Sequence, residues 1–238
     1  MSRILIEVCV DSVAGLTEAV AGGADRIELC SALALGGLTP SLGLMQVAAN
    51  CGVPVYAMIR PRAGDFVFSA SDVAMMAADI DAARRVGLAG VVLGASLHDG
   101  RLDRSCLSQL VQKSTGLGLT LHRAIDLVPD LGDAITLAVD LGFERILTSG
   151  QAPTAPSGAA MLAQAFDLAA GRITIMPGSG INAATIRSLR HLPLTEVHAS
   201  CSVPDIAPSR LLDLGFASTT QRRTSAEQVR ALRAALAR

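Results

Sequence analysis

Residues 4–10 (ILIEVCV) and 25–30 (DRIELC) are two short runs rich in apolar, strand-favouring residues, and a helical pattern at 12–21 lies between them. This unit of a strand followed by a helix recurs along the chain. Such alternation is typical of parallel β/α wiring, in which each helix connects two neighbouring parallel strands. The opening stretch therefore predicts an α/β protein, and the number of repeats decides between its architectures.

Eight strand-like runs occur in order, at residues 4–10, 25–29, 53–59, 89–93, 118–122, 145–148, 173–176 and 195–199. Helical patterns accompany them at 12–21, 41–50, 71–86, 104–114, 131–141, 158–170, 182–190 and 225–237. Eight pairs in 238 residues favour a single-domain (β/α)8 TIM barrel over residues 1–238, since that fold takes roughly 250 residues. An open doubly wound sheet is the alternative. Residues 202–223 lack clear periodicity and are predicted to form an irregular loop with one helical turn.

Composition narrows the classes of function. Hydrophobic residues make up 50% of the chain, charged residues 17%, and the net charge is −1, so a large core is available and disorder is excluded. No basic stripe suits nucleic acid, and no apolar stretch reaches the roughly 18 residues of a membrane span. Five widely spread cysteines do not resemble a disulfide framework, which favours a soluble protein of the reducing cytosol. A homo-oligomer is compatible with such a barrel, although no feature specifies one.

The polar residues of the first two strands alternate with apolar ones. Glu7 and Cys9 share one face of the first strand, and Glu28 and Cys30 share one face of the second. Active sites of β/α barrels lie at the carboxyl ends of the strands. We therefore expect one site in the barrel mouth, built from Glu7, Cys9, Glu28, Cys30, Arg60 and His122.

The two cysteines have two interpretations. Neighbouring strands lie about 4.8 Å apart, and two sulfurs on one metal ion can be separated by up to about 4.6 Å, so Cys9 and Cys30 could share a soft metal. Buried free cysteines are also common as small apolar residues. From spacing alone the second interpretation is favoured.

The two glutamates need partners, because burying an unpaired charge costs several kcal/mol. The candidate cations are Arg26, Arg60, His122 and His198. One interpretation is a structural ion-pair network. A functional site is favoured instead, on the expectation that inward-facing charges cluster at the catalytic end of the barrel and not throughout its lumen.

Two loops suit an anionic ligand. Arg60 and Arg62 place two guanidinium groups on one turn, and Gly178, Ser179 and Gly180 follow the seventh strand, where barrels commonly bind phosphate. The glycines equally suit a simple tight turn. Lys113 is the only lysine and falls in the fourth helix, which disfavours a Schiff-base mechanism at the mouth.

Eight motifs together resemble the copper homeostasis protein CutC family. They are EVCVDS (7–12), GGADRIELC (22–30), GGLTPS (36–41), MIRPRAGDF (58–66), LHRAID (121–126), FERILTSGQ (143–151), MPGSGI (176–181) and TEVHAS (195–200). The resemblance implies a cytosolic TIM barrel linked to copper handling. In some members the cysteines of the EVC and ELC motifs are implicated in Cu(I) binding, and these correspond to Cys9 and Cys30 here.

The chain departs from the family pattern at several positions. Ala63 replaces the first glycine of an R-G-G-D motif, Ser179 lies within the glycine turn, and the segment after Ser200 is shorter than usual. Cys201 is not a usual family position. In a closed barrel it would lie beside Cys9, where it could supply a third sulfur.

Two functional hypotheses follow. The first is a Cu(I)-binding protein of copper homeostasis with Cys9 and Cys30 as ligands. The alternative is a TIM-barrel enzyme of unknown reaction acting on a small anionic ligand, for which a phosphorylated molecule is one option. In that enzyme Glu7 and Glu28 would be the acid and base, His122 a proton shuttle, and Arg60, Arg62 and residues 178–180 the anion clamp. A non-catalytic binding scaffold is a third option.

Overall fold

A computed structural model describes residues 3–237, and it shows eight parallel strands arranged as a barrel. The strands are β1 (Leu5–Val10), β2 (Arg26–Leu29), β3 (Val55–Met58), β4 (Gly90–Leu93), β5 (Gly118–Leu121), β6 (Arg145–Thr148), β7 (Thr174–Pro177) and β8 (Glu196–Ala199). From β1 to β7 each strand pairs in parallel with the next along the chain, and β1 also pairs in parallel with β8. The predicted (β/α)8 architecture is confirmed.

The helices surround this barrel. They are α1 (Val13–Gly22), α2 (Leu42–Ala48), α3 (Ala70–Arg85), α4 (Arg104–Lys113), α5 (Leu131–Asp140), α6 (Ala159–Ala169), α7 (Ser209–Asp213) and α8 (Ala226–Leu236). Short 3₁₀ turns cover Leu33–Leu35, Arg123–Leu127 and Thr185–Leu189. The start of α3 shows how the sequence sets such boundaries, since Ser69 and Asp72 form a reciprocal capping box.

The seventh predicted helix, at 182–190, is wrong as an α-helix. Only the 3₁₀ turn Thr185–Leu189 forms there. The side chain of Asn182 accepts hydrogen bonds from the N–H groups of Ala184 and Thr185, and the Thr185 hydroxyl donates to the Gly180 carbonyl. These local side-chain bonds compete with regular helical pairing.

The two faces of each strand have different surroundings. Ile6, Val8 and Val10 are fully buried in the apolar layer between strands and helices. Glu7 and Cys9 point into the lumen and are also buried, at 1% and 7% exposure. The predicted alternation of the first strand is therefore confirmed.

The expectation that charges avoid the rest of the lumen is wrong. Arg26, Arg145 and Glu196 each begin a strand, at the end of the barrel opposite to the mouth, and all three are buried. Arg26 pairs with Glu7 and Glu196, and Arg145 lies 3.2 Å from Glu196. This ion-pair layer forms the floor beneath the mouth, so the structural interpretation of the buried charges applies to these residues.

Tyr56 fills the centre of the floor. The guanidinium carbons of Arg26 and Arg145 lie 5.4 and 4.9 Å from its ring centroid. Gly90 and Gly118 provide the space, because a Cβ atom at either position would lie 2.2 Å from a Tyr56 atom. The barrel therefore closes around a cationic and aromatic stack instead of aliphatic layers alone.

The barrel has one seam. Among residues 3–237 the hydrogen-bonded ladder runs without a break from β7 back to β1 and on to β8, but no ladder joins β7 to β8. Those two strands still lie side by side with Cα atoms within 8 Å. A Cβ atom on Gly178 would lie 3.2 Å from that of His198, so the missing side chain permits the close approach.

The predicted irregular loop at 202–223 contains more order than expected. β9 (Ser202–Pro204) and β10 (Arg222–Thr224) pair as an antiparallel hairpin, and α7 supplies the predicted helical turn between them. Across residues 3–237, the helices are all too short or too polar to cross a lipid bilayer.

Candidate functional site

A cavity of about 470 Å³ opens at the carboxyl ends of the strands. Six of the predicted site residues line it, namely Cys9, Glu28, Arg60, His122, Ser179 and Gly180. Four others, Glu7, Cys30, Arg62 and Gly178, do not contribute to its wall. The structure thus brings distant parts of the sequence into one mouth, with several of the expected residues behind its surface.

Glu7 lies below the cavity, and its carboxylate is bonded to two partners. Its carboxylate accepts from the Arg26 side chain and lies 2.8 Å from His198 Nδ1. Burial alone opposes the charge on Glu7, but the Arg26 guanidinium and the His198 ring outweigh it and lower its pKa to about 2. Glu7 is therefore a permanent anion that orients His198.

Cys9, Glu28 and His198 form a compact buried cluster at the cavity wall. One ligand-type atom from each lies within 4.8 Å of the other two. Burial penalises the charge on His198, but Glu28 and Cys9 outweigh it and raise its pKa well above the usual range. Burial raises the pKa of Glu28, and its Oε1 atom has no hydrogen-bond partner in the described part of the chain.

The remaining two cysteines near the mouth lie on opposite sides of this cluster. Cys30 is completely buried and its thiol donates to Glu28 Oε2 at 3.5 Å, while burial and the Glu28 charge raise its pKa. Cys201 lines the cavity, and burial together with the Cys9 thiol raises its pKa to about 12. Cys201 also adopts a left-handed backbone with φ of 44°.

The two arginines predicted as an anion clamp have different surroundings. Arg60 is buried, its terminal nitrogens donate to the carbonyls of Leu35, Gly37 and Gly64, and only its Nε lacks an acceptor among the described residues. Arg62 points away, into bonds with Asp65 and the Val67 carbonyl. Arg60 thus offers the cavity one N–H group instead of a two-pronged clamp.

His122 is held as a neutral donor. Burial and the Arg60 charge lower its pKa to about 3. Its Nδ1 accepts from the Ala124 N–H at 3.1 Å, so the ring proton must reside on Nε2, and that atom has no partner within residues 3–237. A buried imidazole in this state has one N–H group available as a hydrogen-bond donor.

Arg123 is a cavity residue that the sequence analysis missed. Its guanidinium is placed by bonds to Asp126 at 2.7 Å and to the Ser149 hydroxyl at 2.7 Å. Asp126 in turn accepts from the Thr148 hydroxyl and from the Ser149 and Gln151 N–H groups. The adjacent His122 and Arg123 both follow β5, and this shared position was the available signal.

The loop after β7 faces the same cavity. Residues 179–182 line it, and Ser179 and Gly180 both have positive φ, at 75° and 70°. Within the described chain, the N–H groups of Ser179, Gly180 and Ile181 donate to no protein acceptor. Ser179 instead fixes the loop through its hydroxyl, which donates to the Pro153 carbonyl at 2.9 Å.

Fold and cavity together define a β/α-barrel protein with a charged, thiol-containing mouth. Comparison with known sequences identifies the family within this class. The profile of the CutC family matches residues 4–203, and the chain belongs to that family.

Individual relatives support the assignment. The chain is 62% identical over 238 residues to a family protein CutC of Rhizobium meliloti (strain 1021), covering 99% of this chain and 97% of that protein. The crystal structure of a CutC protein from Streptococcus agalactiae, named for copper homeostasis, is 31% identical with a TM-score of 0.78, over 83% of this chain and 99% of that one. Thiamine phosphate pyrophosphorylase from Pyrococcus furiosus, with a TM-score of 0.60 at 14% identity over 98% and 96% of the chains, shares the fold alone.

Proposed function

We propose that the protein is a cytosolic enzyme that binds a small anionic molecule, carrying a phosphate or carboxylate group, in the barrel mouth. One observation carries the proposal: the cavity wall combines several hydrogen-bond donors that have no acceptor in the described chain. Two of them, Arg60 Nε and His122 Nε2, are buried, and buried polar groups without partners are costly, so they are expected where a ligand supplies the acceptors.

The donors lie on different sides of the cavity. Arg60 Nε and His122 Nε2 lie at the ends of β3 and β5, and the N–H groups of residues 179–181 follow β7. Arg123 adds a positioned positive charge, with its side chain 41% exposed. The volume of about 470 Å³ falls within the roughly 300–1,000 Å³ typical of small-molecule sites and exceeds what an ion alone requires.

The proposal gives individual residues roles that follow from their contacts. In it Glu7 positions His198, and His122 donates a hydrogen bond to the ligand, in place of the proton-shuttle role expected from the sequence. Arg123 takes the place of Arg62 as a positioned cationic group at the cavity wall. The reactive end of the site is the cluster of Cys9, Glu28 and His198, which borders the same cavity.

The test is a binding series in which inorganic phosphate, sugar phosphates and dicarboxylates are added and thermal stability and calorimetric affinity are measured. Arg123→Gln removes a charge-assisted hydrogen bond worth about 1.5–3 kcal/mol, so the affinity should fall by roughly tenfold to a hundredfold. Arg85→Gln is the matched control, because Arg85 lies in the last turn of α3, far from the mouth.

Two results would contradict the proposal. One is that none of these anions binds the wild-type protein. The other is that Arg123→Gln and Arg85→Gln bind the same anion equally well, since the ligand would then lie elsewhere.

Cu(I) binding is a second candidate function, and the sulfur atoms near β2 and β3 favour it. Around Gly37, a Cβ atom would lie 3.1 Å from Cys30 Sγ and 3.7 Å from the Met58 methyl carbon. Thiolates and thioethers are ligands that Cu(I) prefers, so Cys9, Cys30 and Met58 fit the ion in softness. The Cys30 thiol, however, is tied to Glu28 and must release its proton before it can ligate a metal.

Anaerobic competition for Cu(I) against a chelator tests this candidate. Both Cys9→Ser and Cys30→Ser should lower the Cu(I) affinity, while Cys106→Ser, at a buried position in α4, should not. Equal Cu(I) affinities in the wild-type, Cys9→Ser and Cys30→Ser proteins would show that copper does not bind at these cysteines.

A further inference from the structure

The cluster of Cys9, Glu28 and His198 has the geometry of a metal centre that differs from a pair of thiolates. Its three donor atoms lie within 4.8 Å of one another, and all three residues are buried. His198 Nε2 lies 3.8 Å from Glu28 Oε2. Two ligands bound at about 2.0–2.1 Å to one tetrahedral ion are separated by roughly 3.3–3.4 Å, so the His198 and Glu28 atoms need to approach by only a few tenths of an ångström.

The orientation of His198 supports this interpretation. Its Nδ1 is bonded to Glu7 at 2.8 Å, which leaves Nε2 directed at the cluster, where it becomes a ligand when the arriving cation displaces its proton. Glu7 is itself held by Arg26, another buried side chain. A carboxylate on the second ring nitrogen is the usual arrangement around a metal-bound histidine, where it fixes the tautomer and strengthens the ligand.

An unpaired group supplies a second, independent observation. Glu28 is 3% exposed, yet its Oε1 has no hydrogen-bond partner in residues 3–237, and Glu28 lines the cavity. A buried carboxylate oxygen without a partner is costly. A cation bound at this point would satisfy it.

We propose that Cys9, Glu28 and His198 bind one divalent cation of the zinc class and leave a coordination position open towards the cavity. Thiolate, imidazole and carboxylate are the three zinc ligand types, and three protein ligands with a free fourth position define catalytic zinc sites. The ion would meet the anionic ligand at that free position. This role in the reaction rests on the proposed function, whereas the binding of the ion does not.

Cys30 and Cys201 are outside the donor set. Cys30 is not part of the described group of converging ligand atoms, and it is buried behind the cavity wall. Cys201 borders the cavity, but it too is absent from that group. The proposed centre therefore contains a single thiolate, from Cys9. This distinguishes it from a Cu(I) site, which would use both Cys9 and Cys30.

Titration of the metal-free full-length protein with Co²⁺, a coloured substitute for Zn²⁺, tests the assignment. One equivalent should bind with the intense visible bands of tetrahedral cobalt and a near-ultraviolet band from a single thiolate. Zn²⁺ should displace the Co²⁺. Cys9→Ser should abolish the thiolate band, and Glu28→Gln and Cys9→Ser should each weaken Zn²⁺ binding at least tenfold.

The matched control is Cys106→Ser, at a buried position in α4 that does not line the cavity, which should keep the stoichiometry and the thiolate band. Cys30→Ser distinguishes this centre from a site with two thiolates, and it should keep the band as well. Circular dichroism and thermal unfolding confirm that each variant is folded, and His198→Gln is compared only if it passes that check. Absence of Co²⁺ binding, a thiolate band that survives Cys9→Ser, or loss of the band in Cys30→Ser would overturn the proposal.

The metal titration contains no anion, and the anion series can be run in chelator. If Co²⁺ does not bind but the anion does, the metal centre is rejected and the proposed function stands. Co²⁺ binding as predicted without any anion binding would support the centre and reject the proposed function.

Discussion

His122 is buried beside Phe66, with ring centroids 4.7 Å apart, and it stays neutral down to a pKa of about 3 against an ordinary value of 6.5. The unfolded chain takes up this proton below pH 6.5 and the folded protein does not, so the free energy of unfolding must fall with pH from 6.5 towards 3. The fall is limited to about 1.4 kcal/mol per pH unit for one proton.

His122→Asn should flatten this pH dependence, because asparagine does not titrate and can still bond to the Ala124 N–H. Urea unfolding at several pH values between 7 and 4.5 measures the free energy of unfolding of both proteins. The contribution of the carboxylates is the same in both, so it cancels when the variant is subtracted from the wild type. Identical slopes for wild type and variant would show that His122 is protonated in the folded protein.

Glu7 is the anion between two buried cationic groups, Arg26 and His198. Glu7→Gln leaves Arg26 without one charge partner and should lower the free energy of unfolding by about 3–5 kcal/mol at pH 7. Asp167→Asn on the exposed side of α6 is the control and should change it by less than about 0.5 kcal/mol. Denaturant unfolding measures both, and a small effect of Glu7→Gln would mean that the floor tolerates an unpaired arginine.

At the scale of elements, β4 and β5 approach the floor only because they carry glycine opposite Tyr56. In Gly90→Ala the new methyl group would lie 2.2 Å from Tyr56 Cε1 and 2.6 Å from the Gly118 carbonyl oxygen, so the ring and the neighbouring strand must both move, at a cost of about 1–3 kcal/mol or more. Combining it with Tyr56→Leu should give less than the sum of the two single effects. Gly43→Ala in α2 is the control, since its nearest contact is at 4.0 Å.

Thermal and urea unfolding of the single and double variants check this prediction. Gly43→Ala should be neutral or slightly stabilising, because alanine favours the helix. Strict additivity of Gly90→Ala and Tyr56→Leu would show that the two positions do not compete for the same space.

Most elements were predictable because local patterns define them. The eight strands coincide with β-branched runs to within about two residues, and the capping box of α3 reflects a local hydrogen-bond exchange. The turn at Thr185–Leu189 was not predictable from hydrophobic spacing, since side-chain bonds from Asn182 decide it. The hairpin of β9 and β10 was missed because its strands are three residues long and mostly polar.

The site was only partly predictable for a different reason. Alternation within β1 and β2 correctly placed Cys9 and Glu28 in the mouth. The partnership of Glu7 with His198 depends on the register in which β1 pairs with β8, almost the whole chain length away. Arg26 was among the candidate partners of the glutamates and does pair with Glu7, whereas Arg145 was missed, because nothing in its local sequence shows that this strand start is buried.

At the scale of the whole molecule, residues 206–220 form an excursion with little burial. Ile206 and Phe216 are 93% and 79% exposed. Asp205 and Gln221 lie opposite each other, joined by a backbone hydrogen bond of 2.9 Å. Replacing residues 206–220 by Asn-Gly, the pair preferred in two-residue hairpin turns, should preserve the barrel.

The thermal midpoint of this shortened protein should fall by less than about 4 °C, which corresponds to roughly 1 kcal/mol for a chain of this length. Differential scanning calorimetry measures the change. A loss of 10 °C or more would show that the excursion packs on the barrel and contributes to its stability.

The seam between β7 and β8 has a consequence for motion. Where no ladder joins two strands, their facing amides can exchange with solvent without breaking an inter-strand bond. The loops after these strands lie on either side of the opening and both border the cavity. A ligand that bonds to both loops would hold the two strands together where no ladder joins them. Deuterium uptake at Thr174–Pro177 and Glu196–Ala199 should therefore slow when the mouth is occupied.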